Sequence, residues 1–260
     1  MNRQVAPLLV IALLAGCGQS WATDSRETPP GLLEAVQQAR YSDGFEVRLA
    51  ITTVDAQKVR SPPIKIAVIG QASAERQRFL VRGISPEAVR NHYLVTAKNA
   101  AGPINAFEYG PDDEGHPISV DPFAGLFKTD FVIWDLFGTW WDWPRQTAEG
   151  LGEVNGRRCL WVRSRPAALL QIKEVVSCVD KEFALALSTK VYDSQNRLRR
   201  TIRVEKLIRK NSNAGLMAKK ITIADERGAY SEIDVYGGDE QYQVESETFG
   251  VLERLLGKSN

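Results

Sequence analysis

The chain has 260 residues, 43% hydrophobic and 25% charged, with 33 Lys and Arg against 32 Asp and Glu. That composition is ordinary for a globular domain. The net charge of +1 makes no case for a nucleic-acid partner, and no apolar run beyond the N-terminal region is long enough to cross a bilayer.

The first element is the N-terminal segment. Arg3 supplies a positive start, Leu8 to Leu14 an apolar run too short to span a membrane, and Leu14-Ala15-Gly16-Cys17 its end. The nearest small-x-small triplet, Ser20-Trp21-Ala22, makes a poor site for ordinary signal cleavage. Leu14 to Cys17 resembles the lipobox of bacterial lipoproteins. The resemblance implies cleavage before Cys17 and a diacylglycerol on its thiol. Two or more acyl chains make a stable anchor, at roughly 0.8 kcal/mol per buried methylene. The other reading is a plain signal peptide with an incidental cysteine. Gly18 in place of aspartate favours the outer membrane by the sorting rule of diderm bacteria. Residues 1–16 therefore read as a lipoprotein signal peptide and 17–30 as a lipidated tether stiffened by Pro29-Pro30. Residues 31–257 read as one domain, exported and facing the periplasm.

Leu32, Leu33, Val36 and Ala39 then recur at helical spacing. After them the chain turns to period-two alternation, the mark of half-buried antiparallel strands. Phe45, Val47, Leu49 and Ile51 open the series, followed by Ile64 to Val68 and by Phe79 and Val81. Phe127 to Trp143 reads as helical, with Thr129-Asp130 as its cap. Strand patterns resume at Cys159 and Trp161, then Leu170 to Val176 and Phe183 to Val191. They continue at Ile202 to Ile208, Ile221 and Ile223, and Ile233 and Val235. Turns are expected at Val179 to Glu182 and Asp193 to Asn196. Val251, Leu252, Leu255 and Leu256 form a last helix, stopped by Gly257. About nine or ten strands with three helices predict a mainly β (α+β) protein, one large curved antiparallel sheet with helices against one face.

With Cys17 assigned to lipid, Cys159 and Cys178 remain as an even pair. An exported chain favours a disulfide between antiparallel strands. Two buried thiols are the alternative, and the absence of CxxC argues against a metal.

Several segments, in order, resemble the bacterial outer-membrane lipoprotein-sorting family, the LolA/LolB-like fold. They are Phe107-Glu108-Tyr109-Gly110-Pro111, Thr129-Asp130-Phe131 with Asp135-Leu136, Glu149 to Cys159, Val175 to Lys181, and Val191-Tyr192-Asp193. The similarity spans roughly residues 31–250. It implies an unclosed half β-barrel of about nine to eleven strands, helices over the concave face, and an apolar cavity for a lipoprotein acyl chain or another amphiphile. No cofactor is implied. Phe107 stands where the family carries tryptophan, and Pro111 to Pro122 is acidic where relatives carry basic residues. A lipid-anchored chain would act as acceptor, resident binder or transporter accessory rather than as a diffusing carrier.

Trp134, Phe137, Trp140, Trp141 and Trp143 crowd into ten residues, close behind Phe131. Tryptophan suits an apolar–wet boundary, so these six residues are candidates for a lid over an acyl chain; the alternative is core beneath the sheet. For a lid, alanine at Trp140 and Trp141 would weaken ligand binding and leave the sheet folded. Arginines at 157, 158, 163, 165, 197, 199, 200, 203 and 209, with Lys210, read as a solvated face or as a contact for anionic headgroups. His92 and His116 lie in no metal or nucleophile motif, so no catalytic residue and no metal ligand is assigned. Asp112, Asp113 and Glu114 beside His116 read as an acidic surface loop. Two classes therefore stand ahead of an enzyme: an acyl-chain binder in lipid or lipoprotein transport, and a structural adaptor of an envelope transport or assembly complex.

Cys17→Ser should release the protein from membranes or block its processing. Fractionation and intact mass would check this, and an unchanged result in both would refute lipidation.

Overall fold

The computed structural model describes residues 31–100, 102–110, 116–168, 171–209 and 216–257. The signal segment and tether, Cys17, Pro111, the acidic residues 112–114, Leu170 and Lys210 lie outside the described residues.

The alternating runs form one antiparallel sheet. Its first half is β1 (Ser42–Val54), β2 (Ile64–Ala72), β3 (Arg76–Ser85), β4 (Tyr93–Asn99), β5 (Ile104–Tyr109) and β6 (Ile118–Ser119). The second half is β7 (Arg145–Val154), β8 (Arg157–Arg165), β9 (Ile172–Asp180), β10 (Ala186–Asp193), β11 (Leu198–Arg209), β12 (Leu216–Asp225) and β13 (Tyr230–Asp239). The spatial order is β6-β5-β4-β3-β2-β1-β13-β12-β11-β10-β9-β8-β7. The two halves are meanders that grow outward from a β1–β13 seam, where Leu49 faces Val235 and Ile51 faces Ile233. The sheet does not close, so the fold is the unclosed half-barrel that the sequence implied.

Among the described residues thirteen strands form where nine to eleven are expected, and the two beyond eleven, β6 and β7, lie at the edges. Strand β6 has two residues, both exposed. Along β7 only Val154 is buried. An edge strand with little core to face carries no apolar alternation to read. The β7 sequence answers to its neighbour instead. The Trp161 indole of β8 lies against Gly152, and a Cβ there would run into the ring. A third difference is local: β10 starts at Ala186, because Asp180 Oδ1 accepts the Glu182 and Phe183 N–H groups (2.8 and 3.0 Å) and holds the turn open to Ala184.

The inner face carries the main core. Phe45, Val47, Leu49, Ile66, Phe79, Val81, Ile202, Val204, Ile221 and Ile233 are buried on it. Gly70 is inner too, and a Cβ there would meet the Phe45 and Phe79 rings. Helix α1 (Leu32–Gln38) packs onto this core through Leu32 and Val36. So does α2 (Ile133–Phe137), every residue of which is buried. The C-terminal helix α3 (Gly250–Gly257) goes to the other face. Leu252, with Phe249 just before the helix, meets Val95 and Ala97 in a separate cluster. Val95 and Ala97 alternate with the inward Leu94, so their side of β4 is the outer one. Glu253 anchors the helix there to Arg76 and Arg78 (3.0 and 2.9 Å). Among the described residues two helices, not three, therefore pack on the concave face.

Cys159 and Cys178 form a disulfide between β8 and β9, with Cα atoms 5.4 Å apart. In the register Trp161 faces Cys178 and Cys159 faces Asp180, so the bridge joins diagonal neighbours. Replacing both cysteines by alanine should cost about 3 kcal/mol, the loop-entropy value for a closure of this length. Urea melts would measure it, and non-reducing peptide mapping of the wild type should recover the linked pair.

Candidate functional site

Consecutive strands β6 and β7 sit at opposite edges, so residues 120–144 must cross the sheet. This connector carries the aromatic cluster, and it crosses on the inner face. It turns at Phe127 and Lys128, both with positive φ (49° and 66°). The Thr129 hydroxyl closes that turn by donating to the Leu126 carbonyl (2.7 Å). Asp130 does not cap a helix. Its N–H donates to Ser231 Oγ (3.1 Å), and the Ser231 hydroxyl donates back to its carboxylate (2.9 Å), which pins the connector to β13. Helix α2 is five residues long, and Asp135 accepts the Val132 N–H at its start (3.2 Å).

Asp135 is fully buried and meets Arg200 of β11 at 2.6 Å. Burial pushes its carboxyl above the usual range, against the pull of Arg200 and the Val132 N–H. Beyond α2, Arg40 forks onto Asp142 (2.7 and 3.1 Å) and donates to the Phe137 carbonyl (2.9 Å). Gln37 and Gln146 both donate to the Trp141 carbonyl (2.6 and 2.8 Å). The connector is thus held by β11, β13, α1 and β7, and its carbonyls find partners where it leaves helical geometry.

The candidate residues separate within this arrangement. Phe131, Phe137, Trp140 and Trp141 are at 0% exposure and belong to the core. Phe137 packs edge-on against Phe79 (4.8 Å). Trp134 is 6% exposed, stacked with Phe123 on one side (5.7 Å) and tilted against Trp140 on the other (4.9 Å). Trp143 is half-buried, 6.5 Å from Trp134. Of the six, Trp134 lines a cleft.

That cleft has a volume of about 460 Å³ and lies between the connector and the β9–β10–β11 end of the inner face. Phe123, Trp134, Ile172 and Val191 give it an apolar side, and Arg197, Arg199 and Arg200 a basic one. A second hollow of about 230 Å³ adjoins it and shares Phe123, Arg199 and Arg200. Acidic residues line both, so the pair of clefts is amphipathic rather than an apolar tunnel. Phe123, Asp135 and the Asp135–Arg200 contact were not singled out as a site in the sequence. Asp135 lies in the Thr-Asp-Phe…Asp-Leu segment and Arg200 in the arginine run, but their meeting is a tertiary fact.

Most of the arginines engage carboxylates. Arg157 meets Asp180 (2.5 Å), Arg163 bridges Glu149 and Glu174, and Arg165 also meets Glu174 (2.9 Å). His116 is exposed, and the His92 carbonyl accepts the Gly83 N–H (2.9 Å). Among the described residues no cluster of three or more His, Cys, Asp or Glu is arranged to hold a metal ion. No helix among them is long and apolar enough to cross a membrane.

A curved, unclosed antiparallel sheet with a helical connector on its inner face defines a LolA/LolB-like fold. Solved structures with this fold include a DUF1329 family protein from Desulfovibrio piger. The TM-score is 0.74 at 15% identity, over 84% of this chain and 94% of that one. A candidate outer membrane lipoprotein-sorting protein domain from Vibrio parahaemolyticus gives 0.73 at 14% identity, over 86% and 96%. A LolA superfamily protein from Nitrosomonas europaea gives 0.65 at 16% identity, over 85% and 97%. At these identities the likeness is one of fold. No protein-family model matches the chain, and no curated protein matches it in sequence.

Full burial changes what alanine does at the tryptophans. Trp140→Ala and Trp141→Ala should each cost about 3–5 kcal/mol, the usual range for emptying a buried aromatic site. Trp134→Ala should cost less, because its ring borders the cleft. Chemical denaturation of the three variants would rank them.

Proposed function

We propose that this chain is an exported cell-envelope lipoprotein that binds an acyl chain or another amphiphile, in sorting or transport of lipids or lipoproteins between membranes. The observation that carries the reading is the amphipathic cleft beside Trp134, on the inner face of a half-barrel. An amphiphile needs an apolar wall and a polar mouth in one site, and Phe123 and Trp134 line the same cleft as Arg199 and Arg200. The fold shared with a candidate lipoprotein-sorting domain supports the same reading. In this proposal Cys17 carries the lipid anchor, the domain faces the periplasm from the outer membrane, and no reaction is catalysed.

One observation favours a second reading. Trp140, Trp141, Phe131 and Phe137 fill the inner face, which leaves less room for a long acyl chain than an open tunnel would. A filled half-barrel suits an adaptor that presents its surface to an envelope transport or assembly complex.

Titration of the delipidated full chain with a fluorescent fatty acid, below its micelle concentration, separates the two. The binder should saturate and shift the tryptophan emission through Trp134, and native mass spectrometry before delipidation should show a lipid adduct. Absence of saturable binding would put the adaptor first.

A further inference from the structure

Strict alternation along β11 would send Arg199 and Arg200 to opposite faces. The strand does not alternate there. Tyr192 of β10 faces Leu198, and its neighbour Val191 faces Arg200, so Arg199 is an extra residue inserted into the ladder. A bulge of this kind re-aims a side chain. Here both arginines line the same two clefts. They are unequal in cover: the Arg200 side chain is 15% exposed and that of Arg199 45%.

Three of the carboxylates that line the clefts serve their own turns. Asp193 Oδ1 accepts the Gln195 and Arg197 N–H groups, both at 2.9 Å, and Oδ2 accepts Arg197 Nε at 2.9 Å. Asp225 does the same for its own turn, taking the Arg227 and Ala229 N–H groups and Arg227 Nε (2.8, 3.0 and 2.9 Å). Asp121 accepts the Phe123 N–H (2.9 Å). Arg200 meets Asp135 through one nitrogen, Nη1. Among the described residues, Arg199 meets Glu226 at 3.1 Å and Asp193 at 4.0 Å, both through Nη1. Two adjacent guanidinium groups therefore line the cleft, each meeting carboxylates through one nitrogen, while Asp121, Asp193 and Asp225 accept backbone N–H groups and Asp130 accepts the Ser231 hydroxyl. Guanidinium forks of this kind match the oxygens of phosphate and carboxylate. The rest of the lining is partly apolar: Phe123 stacked on Trp134, with Ile172 and with Val191 next to Arg200 in the sheet.

We propose that this cleft takes an anionic amphiphile, with its phosphate or carboxylate head on Arg199 and Arg200 and its hydrocarbon against Phe123 and Trp134. The assignment rests on the amphiphile-binding reading above and adds the charge of the ligand and the residues that select it.

Calorimetric titration of the delipidated full chain is the test. The probes are dodecyl phosphate, dodecyl maltoside and inorganic phosphate, each below its micelle concentration where it has one. Dodecyl phosphate should saturate one site and bind more tightly than the maltoside. Added salt should weaken the phosphate amphiphile and leave the maltoside unchanged. Arg199→Gln should weaken dodecyl phosphate about tenfold, the scale of one charge-assisted contact. R199Q is preferred to a change at Arg200, which would strand the buried Asp135, and circular dichroism would confirm its fold. Equal affinity for the two dodecyl probes, with no salt effect, overturns the charge assignment and leaves the amphiphile reading standing. Inorganic phosphate as tight as dodecyl phosphate makes the ligand a free anion and overturns the hydrocarbon half. Binding by none of the probes overturns both the assignment and the reading beneath it.

Discussion

Strands β6 and β7 follow one another in the chain, yet they close opposite edges of the sheet. At the usual strand spacing of about 4.8 Å, the edges of a flat sheet of this width would lie roughly 58 Å apart. Residues 120–144 have to make that journey, and nearly half of them are in short helical turns that advance slowly. A flat sheet would use up nearly all of the segment's reach, and a curved one shortens the crossing by bringing the edges together. The same curvature creates a concave face that must be filled with apolar groups. One segment answers both demands, and the placement of the aromatic cluster follows from it.

The connector fills the face with large rings and is then fixed by polar contacts at intervals. Asp130 holds to β13, Asp135 to β11, and Asp142 to Arg40 behind α1. A buried ion pair such as Asp135–Arg200 contributes little net stability, since desolvation offsets most of the attraction. It does exact a penalty for any other placement of the connector, because a displaced Asp135 would lose its cation. The packing of the rings supplies the stabilisation, and the ion pairs select the position. Where the connector enters, its first aromatic residues do not bury fully, and the cleft at Phe123 and Trp134 is the result.

The outer face is organised by different means. Among the described residues, α3 lies over β3 and β4, and side chains lie over their neighbours elsewhere on this face. Trp161 covers Gly152 of the edge strand, Lys190 sits over the Trp161 ring (5.6 Å), and Arg163 ties β7 to β9 through Glu149 and Glu174. The Cys159–Cys178 bridge fastens β8 to β9 beneath this layer. The edge itself carries charged residues, two glycines and a register shift near Gly150, devices that discourage pairing with another strand.

What the sequence determined by itself is whatever depends on residues close together in it. Period-two alternation marked the strands that face the core, 3.6-residue spacing marked α1 and α3, and turn chemistry at Asp193 placed a hairpin. Cys159 and Cys178 were legible as a pair because reading Cys17 as a lipidation site leaves two of the three cysteines, each in a β-patterned run. The tertiary structure decided the rest. It placed β6 and β7 at edges, where no apolar period exists to be read. It sent α3 to the outer face, a choice that an amphipathic helix does not encode. It buried Trp140 and Trp141 while leaving Trp134 at a cleft, although all three indoles have the same chemistry. It also put Arg199 beside Arg200 through an inserted residue that alternation would have denied. The inserted residue is a matter of register within one hairpin, but the other choices join groups far apart in the chain; core and ligand site draw on the same residue types, so only the path of the connector across the sheet could tell them apart.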